Sequence, residues 1–433
     1  MSRVDRTFAL MFLVMLTVAA ANTALQSVLP ALGRSLGVRD QAVAAAFSVS
    51  ALLWVIAAPF WANRSDRQGR RRMILLGVGG LVASLTVCGT FLALGINGVI
   101  SGAAAFGLFI FGRLIYGSLG AAAPPAVQAL VAGATTREER TKALTLLASA
   151  FGLGTILGPA IAPYLILGSI GGVEIGLAGP AFIMAGFGVV VWFTVRAMLP
   201  DDRAGMHEGG KQSAYPSIGG APTGASVQAA TAVGGEQVGF LDPRVRGWMI
   251  VGLVMGHAQA MTSQAIGFLV IDRLHVAPAA ALEPTGIVLM MGAGASLLVQ
   301  WGIIPLLNLN PRQLVIVGLS VSAVGTALTG VAGSLYGIAT AYALASLGFG
   351  FARPGFTAGS SLAVGPEGQG SVAGKVTSVN GASFVLGPSI GVALYEAQHS
   401  LPYLTAGAAC AVMIAYSWVA LREKPSVPET GIV

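Results

Sequence analysis

The stretch Trp61–Met73, WANRSDRQGRRRM, lies between two long apolar runs, Ala42–Phe60 and Met73–Leu94. It contains one acid, Asp66, and a cluster of arginines around Gly69, and such a density of charge is not tolerated in lipid. The stretch therefore predicts a tight, solvent-exposed turn between two membrane helices. Because cytoplasmic loops of membrane proteins are rich in Lys and Arg, the arginines assign this turn to the cytoplasm.

The composition is that of a polytopic membrane protein. Of the 433 residues, 55% are hydrophobic and 9% are charged, far fewer charges than a soluble domain carries. Apolar runs of about 20 residues, each long enough to cross a hydrocarbon core of about 30 Å, recur along the chain. The two cysteines, Cys88 and Cys410, lie in separate apolar runs and predict neither a disulfide nor a metal site. No cofactor is expected.

The apolar runs predict twelve transmembrane helices in two sets of six. The first set is Thr7–Leu29, Gln41–Trp61, Met73–Leu94, Gly102–Val131, Thr141–Leu167 and Gly179–Leu199. The second set is Val245–Ile271, Pro284–Leu307, Gln313–Gly333, Leu335–Val364, Ser371–Tyr395 and Pro402–Leu421. The prediction is an all-α membrane protein with a six-helix bundle at 1–199, a cytoplasmic linker at 200–243, and a second six-helix bundle with a short tail at 244–433.

The basic residues give the orientation. Nineteen of the 24 Lys and Arg fall in the predicted cytoplasmic segments, whereas the opposite loops hold only Arg34, Arg39 and Arg273. This asymmetry predicts that both termini are cytoplasmic, in a multi-pass protein of the plasma (cell inner) membrane. It also explains the net charge of +7 without a nucleic-acid partner. The apolar run after Arg6 is expected to be a retained first helix rather than a signal peptide.

The two sets of helices share a pattern of proline and glycine. A shift of 229 residues places Pro125 on Pro354 and the pair Gly158-Pro159 on Gly387-Pro388. Matching prolines and glycines predict matching bends in corresponding helices. Two related bundles joined by a polar linker are typical of a transporter with a pseudo-symmetric central cavity.

Three motifs resemble those of the major facilitator superfamily, and within it the twelve-helix drug/proton antiporters related to the tetracycline exporters. The family pattern G-x-x-x-D-R-x-G-R-R is matched, with Ala62 in place of its first glycine, by Asp66, Arg67, Gly69, Arg70 and Arg71. The pattern R-x-x-x-G-x-x-G is matched by Arg113, Gly117 and Gly120. The antiporter motif g-x-x-x-G-P-x-x-G-G is matched by Gly154, Gly158 and Pro159, but Ala162 and Pro163 replace its last two glycines.

The first motif is expected to act as a gate. Its charges would hold the two halves together on the cytoplasmic face and be released when that face opens; the alternative is a topology signal alone. A second set of residues is expected to form a hinge or a tight seal between the halves near the outer face, the alternative being simple close packing. This set is Gly154, Gly158, Pro159, Gly387 and Pro388.

Polar residues inside the spans are the candidates for coupling and for substrate binding, because their burial in lipid is costly. The family resemblance implies that Arg113 acts in proton coupling or in recognition of substrate charge, although a structural arginine stays an alternative. His257 could titrate near neutral pH. The residues expected to contact substrate, or alternatively to form interhelical hydrogen bonds, are Asn22, Gln26, Gln264, Arg353 and Asn380.

Acidic residues are absent from the middle of the predicted spans, although many related drug exporters carry their proton there. Asp40, Asp272 or Glu396 at the outer rim could replace such a group, or the protein could work without proton antiport. A cavity with arginine and without acid favours neutral, zwitterionic or anionic substrates over cations.

These observations predict a monomeric secondary transporter that moves a small organic molecule by rocking two halves about a central site in the bilayer. Proton-driven export of an amphipathic drug-like compound or metabolite, as in multidrug resistance, is the first hypothesis. Uptake or facilitated transport of an organic anion is the second, and a non-transporting receptor is the third. An enzyme is not expected, because no nucleophile–base pair, metal-ligand spacing or phosphate loop is found in the sequence.

Overall fold

The computed structural model describes residues 3–135, 137–200, 236–365 and 367–421. Most of the predicted linker (201–235) and the tail (422–433) therefore lie outside the described residues, and their assignment stays a prediction. The described chain is mostly helical, as expected for an all-α membrane protein.

In its described residues the first half contains seven α-helices. They are α1 (Arg3–Ser35), α2 (Asp40–Gln68), α3 (Arg70–Ile96), α4 (Gly102–Leu119), α5 (Ala123–Ala134), α6 (Arg137–Ile161) and α7 (Gly179–Met198). The predicted span Gly102–Val131 is interrupted by a 3₁₀ turn at Gly120–Ala122. Pro124 and Pro125 follow this turn, and since proline has no N–H to donate, the helix restarts there as α5.

The described part of the second half, from residue 236 to 421, also contains seven α-helices. They are α8 (Arg246–Leu274), α9 (Leu282–Leu297), α10 (Ile304–Leu307), α11 (Pro311–Val331), α12 (Leu335–Leu362), α13 (Gln369–Ala397) and α14 (Leu401–Ala420). A π turn at Leu298–Ile303 connects α9 to α10. Pro305 lies just beyond it and cannot bond to the carbonyl one turn back, which accounts for the irregular geometry.

Ten helical segments of the described chain are long and apolar enough to cross a membrane, so the prediction of twelve such helices is not confirmed. The helices α6 and α8 are not among the ten. For α6, the described residues contain instead a shorter apolar stretch, Ser149–Leu165, which begins in α6 and ends in the 3₁₀ turn that follows it. Helix α8 carries several polar groups along its length, among them His257, Gln264 and Asp272, which lower its hydropathy.

A two-stranded antiparallel hairpin precedes α7 and was not predicted. Strand β1 (Leu167–Ile170) pairs with β2 (Val173–Gly176), with Ser169 opposite Glu174. The side chain of Asn97 bonds to the backbone of Glu174 in both directions, at 2.7 and 2.9 Å, and so fixes the hairpin to the end of α3.

The turn at Gly69 defines one end of the helical bundle, the arginine-rich end; the α1–α2 turn at Gly37 defines the opposite end. Gly69 ends α2 and begins α3 with φ 93° and ψ 143°, a conformation that side-chain-bearing residues rarely adopt. Its N–H donates to the Ser65 carbonyl at 3.1 Å. The tight turn expected from the sequence is thus present.

A small charged network lies just before α8. Arg244 donates to Asp242 at 2.7 Å and to Glu236 at 2.5 Å. The hydrogen bonds from the Arg244 side chain and backbone lower the pKa of Asp242 to about 2. This pair therefore stabilises the fold above the ordinary aspartate pKa, and its contribution is lost only as the pH falls toward 2. It does not respond to pH near neutrality.

Helices α1 and α6 pack closely because α6 presents glycine to α1. A methyl group on Gly158 would lie 2.5 Å from the Ala20 carbonyl oxygen and 2.8 Å from the Ala24 nitrogen. We expect Gly158→Ala to destabilise the protein by about 1–3 kcal/mol through overpacking, measured as a lower melting temperature in detergent. Gly107→Ala is the matched control, since no atom lies within 4 Å of the added methyl; equal melting temperatures for the two variants would contradict the expectation.

Candidate functional site

A central cavity lies between the two halves and consists of two neighbouring chambers. The first chamber has a volume of about 350 Å³ and the second about 200 Å³. Together they fall in the range of sites for small organic ligands. Residues of α1, α6, α8 and α13 line both chambers: Thr23, Gln26, Thr155, Ser263, Gln264 and Phe384.

Arg113 lines the second chamber from α4. The residue is only 3% exposed, its Nη2 donates to Asn22 Oδ1 at 2.9 Å, and its Nε has no hydrogen-bond partner. The guanidinium lies 4.9 Å from the ring centre of Phe47 and 4.8 Å from that of Tyr116. Among the described residues no carboxylate is within ion-pair distance. Amide and aromatic groups therefore take the place of a counter-ion.

Arg353 and Asn380 line the same chamber from the second half. Arg353 Nη2 donates to Gln259 Oε1 at 2.5 Å, and its guanidinium lies 5.9 Å from the ring centre of Phe384. Asn380 is 3% exposed, and neither its Nδ2 nor its Oδ1 has a hydrogen-bond partner. Unpaired polar atoms in so buried a position are rare in folded proteins and mark a place where a ligand could bind.

The five residues predicted from the sequence to bind substrate all line the second chamber, together with Arg113. Gln26 donates to Gln264 at 3.2 Å across the boundary between the halves. Among the described residues that line either chamber, Arg113 and Arg353 are the only charged ones. The cavity thus has mainly apolar walls that carry several polar side chains, and its charge is positive.

His257 does not line either chamber. Its Nδ1 lies 2.8 Å from the Leu253 carbonyl oxygen and 3.4 Å from Ser383 Oγ, between α8 and α13. The structure therefore separates it from Arg113, with which the sequence grouped it. A role in coupling stays a prediction.

The two halves are joined at the opposite end by a charged cluster, the rim cluster, formed by Arg34, Asp40, Asp272 and Tyr395. Arg34 of α1 donates to both carboxylate oxygens of Asp40, at 3.1 and 2.7 Å. It also donates to both oxygens of Asp272, which belongs to α8 in the second half. The Tyr395 hydroxyl donates to Asp272 Oδ2 at 2.5 Å. Two hydrogen bonds from Arg34 to each of the two carboxylates give this contact both strength and a defined geometry.

Further contacts between the halves extend from the rim cluster toward the centre. The Gln41 N–H donates to Glu396 at 2.9 Å, and the hydroxyls of Ser48 and Ser389 are 2.8 Å apart. Gly267 of α8 packs against Pro30 of α1. These contacts close the cavity at the opposite end.

One described contact of the arginine-rich turn lies within its own half. Arg71 Nη2 donates to the Arg196 carbonyl oxygen at the end of α7, at 2.6 Å. Arg67 is exposed. The side chain of Asp66 lies outside the described residues. The gating role expected of Asp66, Arg67, Gly69, Arg70 and Arg71 stays a prediction.

The residues predicted to form a hinge or seal are divided between two settings. Gly154 and Gly158 pack against α1 and Gly387 packs against Ala260, so all three contacts lie inside one half. Pro159 faces the boundary, since its carbonyl oxygen would lie 2.9 Å from a methyl group on Gly286 of the second half. Pro388 lines the second chamber. Close packing describes the three glycines, and a hinge function stays a prediction.

Two residues of the cavity were not predicted: Gln300 and Tyr342, which line the first chamber. The position of the polar residue Gln300 within an apolar run is the feature of the sequence that could have indicated its place in the cavity. The rim cluster was not predicted as a contact either, because 238 residues separate Arg34 from Asp272 in the sequence.

A sequence profile described as Major Facilitator Superfamily matches residues 11–374. The chain is 36% identical over 121 residues to Multidrug resistance protein 2 of Bacillus subtilis (strain 168), covering 28% of this chain and 26% of that protein. It is 34% identical over 145 residues to Tetracycline resistance protein, class B, of Escherichia coli, covering 34% of this chain and 31% of that protein. The aligned stretches thus span less than a third of either resistance protein.

Solved transporters share the fold over nearly the whole chain. A bacterial homologue of the human lysosomal transporter Spinster, in an inward-facing and occupied conformation, superposes with TM-score 0.72 at 12% identity, covering 98% of this chain and 99% of that one. The human organic anion transporter MFSD10 (TETRAN) superposes with TM-score 0.65 at 18% identity, covering 96% of this chain and 100% of that one. At such identities the likeness concerns the fold alone.

Proposed function

Because the chain belongs to the Major Facilitator Superfamily, and is therefore a membrane transporter rather than an enzyme, we propose that it exports small amphipathic organic compounds in exchange for protons. The resemblance inferred from the three motifs is confirmed by this membership. The aligned relatives are resistance proteins, which supports export of drug-like compounds or metabolites.

One observation carries the proposal: a cavity lined by apolar and polar side chains lies between two helical halves and is closed at one end by contacts between them. Residues of both halves line the cavity, and the rim cluster joins the halves at the opposite end. Breaking the rim contacts while forming new ones at the arginine-rich end would expose the cavity to the other side of the membrane. This is alternating access around a fixed site.

We assign the arginine-rich end to the cytoplasm, since Lys and Arg concentrate there. In this orientation both termini are cytoplasmic, α6 and α8 complete twelve spans in two six-helix bundles, and the membrane is the plasma (cell inner) membrane. The closed end then faces outside, so the structure corresponds to an inward-facing conformation. The protein works as a monomer in this proposal, because each chain contains both halves and a whole cavity.

Coupling to protons is assigned to Arg113 and His257. Arg113 lies in the second chamber, where its guanidinium can interact with a bound substrate. Histidine is the side chain most often used for proton exchange in proteins, and His257 contacts α13 one turn from Asn380 through Ser383. Protonation of His257 would alter the packing of α8 on α13 beside the site.

Transport into inside-out vesicles tests export directly. With the cytoplasmic face outward, an imposed proton gradient should drive accumulation of a fluorescent amphipathic compound, and collapse of the gradient should release it. Accumulation insensitive to the gradient would contradict proton coupling. Accumulation found only in right-side-out vesicles would instead support the second hypothesis, uptake.

Asp66→Asn is expected to slow turnover by about tenfold while changing substrate affinity less, because the carboxylate is assigned to a gate and not to the cavity. Initial rates and half-saturation concentrations measured in vesicles check this. Arg246→Gln, which alters another charge at the arginine-rich end, is the control. An unchanged rate for Asp66→Asn would leave the motif as a topology signal only.

A further inference from the structure

The second chamber contains buried hydrogen-bond donors without a partner. Among the described residues these are Arg113 Nε, the Tyr116 hydroxyl and Asn380 Nδ2, and Asn380 Oδ1 beside them is likewise without a partner. The three residues come from both halves and line one chamber. A ligand that satisfies this set must bring acceptor oxygens.

The charge of the chamber points the same way. Arg113 and Arg353 contribute two guanidinium groups, and no described carboxylate lines either chamber. Neutral groups, Asn22 for Arg113 and Gln259 for Arg353, are their hydrogen-bond partners. Charges held in the membrane interior are normally compensated by an opposite charge, so a cationic substrate would enter against two uncompensated positive charges.

We propose that the substrate is a small organic anion whose acidic group binds between Arg113 and Arg353 in the second chamber. This inference rests on the proposed transport function and names the chemical class of its substrate. A carboxylate or sulfonate carries acceptors only and matches the planar donors of arginine. Because Arg113 belongs to the first half and Arg353 to the second, the bound anion would contact both halves at once.

The remainder of the chamber specifies the body of the anion. Phe47, Trp54 and Phe151 line it from the first half and Phe384 from the second. Trp54 and Tyr116 pack with their ring centres 5.0 Å apart, which gives the wall a fixed aromatic surface. A flat aromatic or other apolar group joined to the acid fits such a wall. The chemical class is thus an aromatic or amphipathic monoanion.

Binding to the purified full-length protein in nanodiscs tests the class without a gradient or a direction of transport. The probes are benzoate, 2-naphthoate and indole-3-acetate, each with its primary amide and its amine counterpart at millimolar concentration. We expect a carboxylate to raise the melting temperature and to bind roughly tenfold more tightly than its amide, and the amines not to bind. Amines that bind as well as carboxylates, or no bound carboxylate in the panel, would overturn the inference.

Two variants assign the binding to this chamber. Arg353→Gln should weaken the carboxylate roughly tenfold and leave its amide unchanged, since only the ion pair is removed. Tyr116→Phe should weaken the carboxylate several-fold without lowering the melting temperature of the free protein, because the hydroxyl has no partner there. Arg39→Gln, at an exposed arginine of the opposite end, is the control for net charge.

Wild-type affinity in both Arg353→Gln and Tyr116→Phe would place the anion elsewhere and overturn the assignment. The result is separable from the proposed function. Anion binding without gradient-driven flux would contradict proton-coupled export and keep the substrate class. Gradient-driven export of neutral or cationic compounds, without anion binding, would contradict the substrate class and keep proton-coupled export.

Discussion

Asp272→Asn is expected to shift the protein about tenfold toward the conformation in which the opposite end is open. The substitution leaves Tyr395 a partner but removes the charge that holds Arg34 across the boundary. The side chains of Arg34 and Asp272 are each 21% exposed, so water screens part of the attraction between them. The difference in free energy between the two conformations that remains after screening is in the range of typical allosteric coupling free energies. Arg34 keeps Asp40 as a partner within its own half, so the open conformation is not penalised by a lone charge.

Distances between spin labels at Val99→Cys and Tyr336→Cys measure this shift, since both positions are exposed at the opposite end and belong to different halves. The native cysteines are buried. In Asp272→Asn the long-distance population should grow at the expense of the short one. Glu174→Gln removes a negative charge from the hairpin at the same end and should change nothing. Equal populations in Asp272→Asn and the unsubstituted protein would show that the rim cluster does not hold the halves together.

Arg113→Gln is expected to reduce transport by at least about thirtyfold while raising the melting temperature. Arg113 is 3% exposed and has no carboxylate partner among the described residues, so its burial costs the fold free energy that a neutral side chain would not. Loss of the guanidinium from the site removes a charged hydrogen-bonding group, which typically costs about 2–5 kcal/mol of interaction. Stability and activity therefore move in opposite directions at this position.

The expected loss of transport is checked by initial rates in vesicles, normalised to the amount of protein in the membrane. The expected gain in stability is checked by melting temperatures of the purified protein. Arg113→Lys keeps the charge but cannot present the planar fork, and should be intermediate in transport. Arg39→Gln should resemble the unsubstituted protein in both measurements. A lower melting temperature with retained transport in Arg113→Gln would make Arg113 a structural residue.

Much of the site could be predicted because polar residues in apolar runs stand out. Asn22, Gln26, Gln264, Arg353 and Asn380 were selected on that basis, and the structure brings all five to one chamber. The same rule selected His257, which instead bonds to its own helix. A polar group can be satisfied by a carbonyl one turn back as well as by a ligand, and the sequence does not distinguish the two.

The number of spans and the contacts between halves were less predictable for physical reasons. Helix α8 is polar enough to fall outside the apolar segments because its neighbours, and not lipid, surround much of it. Pairing of Arg34 with Asp272 depends on how two distant helix ends are placed by the whole bundle. The positive φ of Gly69, by contrast, is a local property and was predictable from a glycine between two charged helix ends.

The π turn between α9 and α10 has a consequence for the shape of the first chamber. Within it Gln300 lines that chamber, whereas the next residue, Trp301, is 57% exposed. A π turn holds one residue more than an α turn, and one residue corresponds to a rotation of about 100° along an α-helix. Conversion of Leu298–Ile303 to α geometry would therefore rotate Ile304–Leu307 by that angle relative to α9. A local change between π and α geometry can thus change which side chains of this helix line the first chamber without a movement of the helix axis.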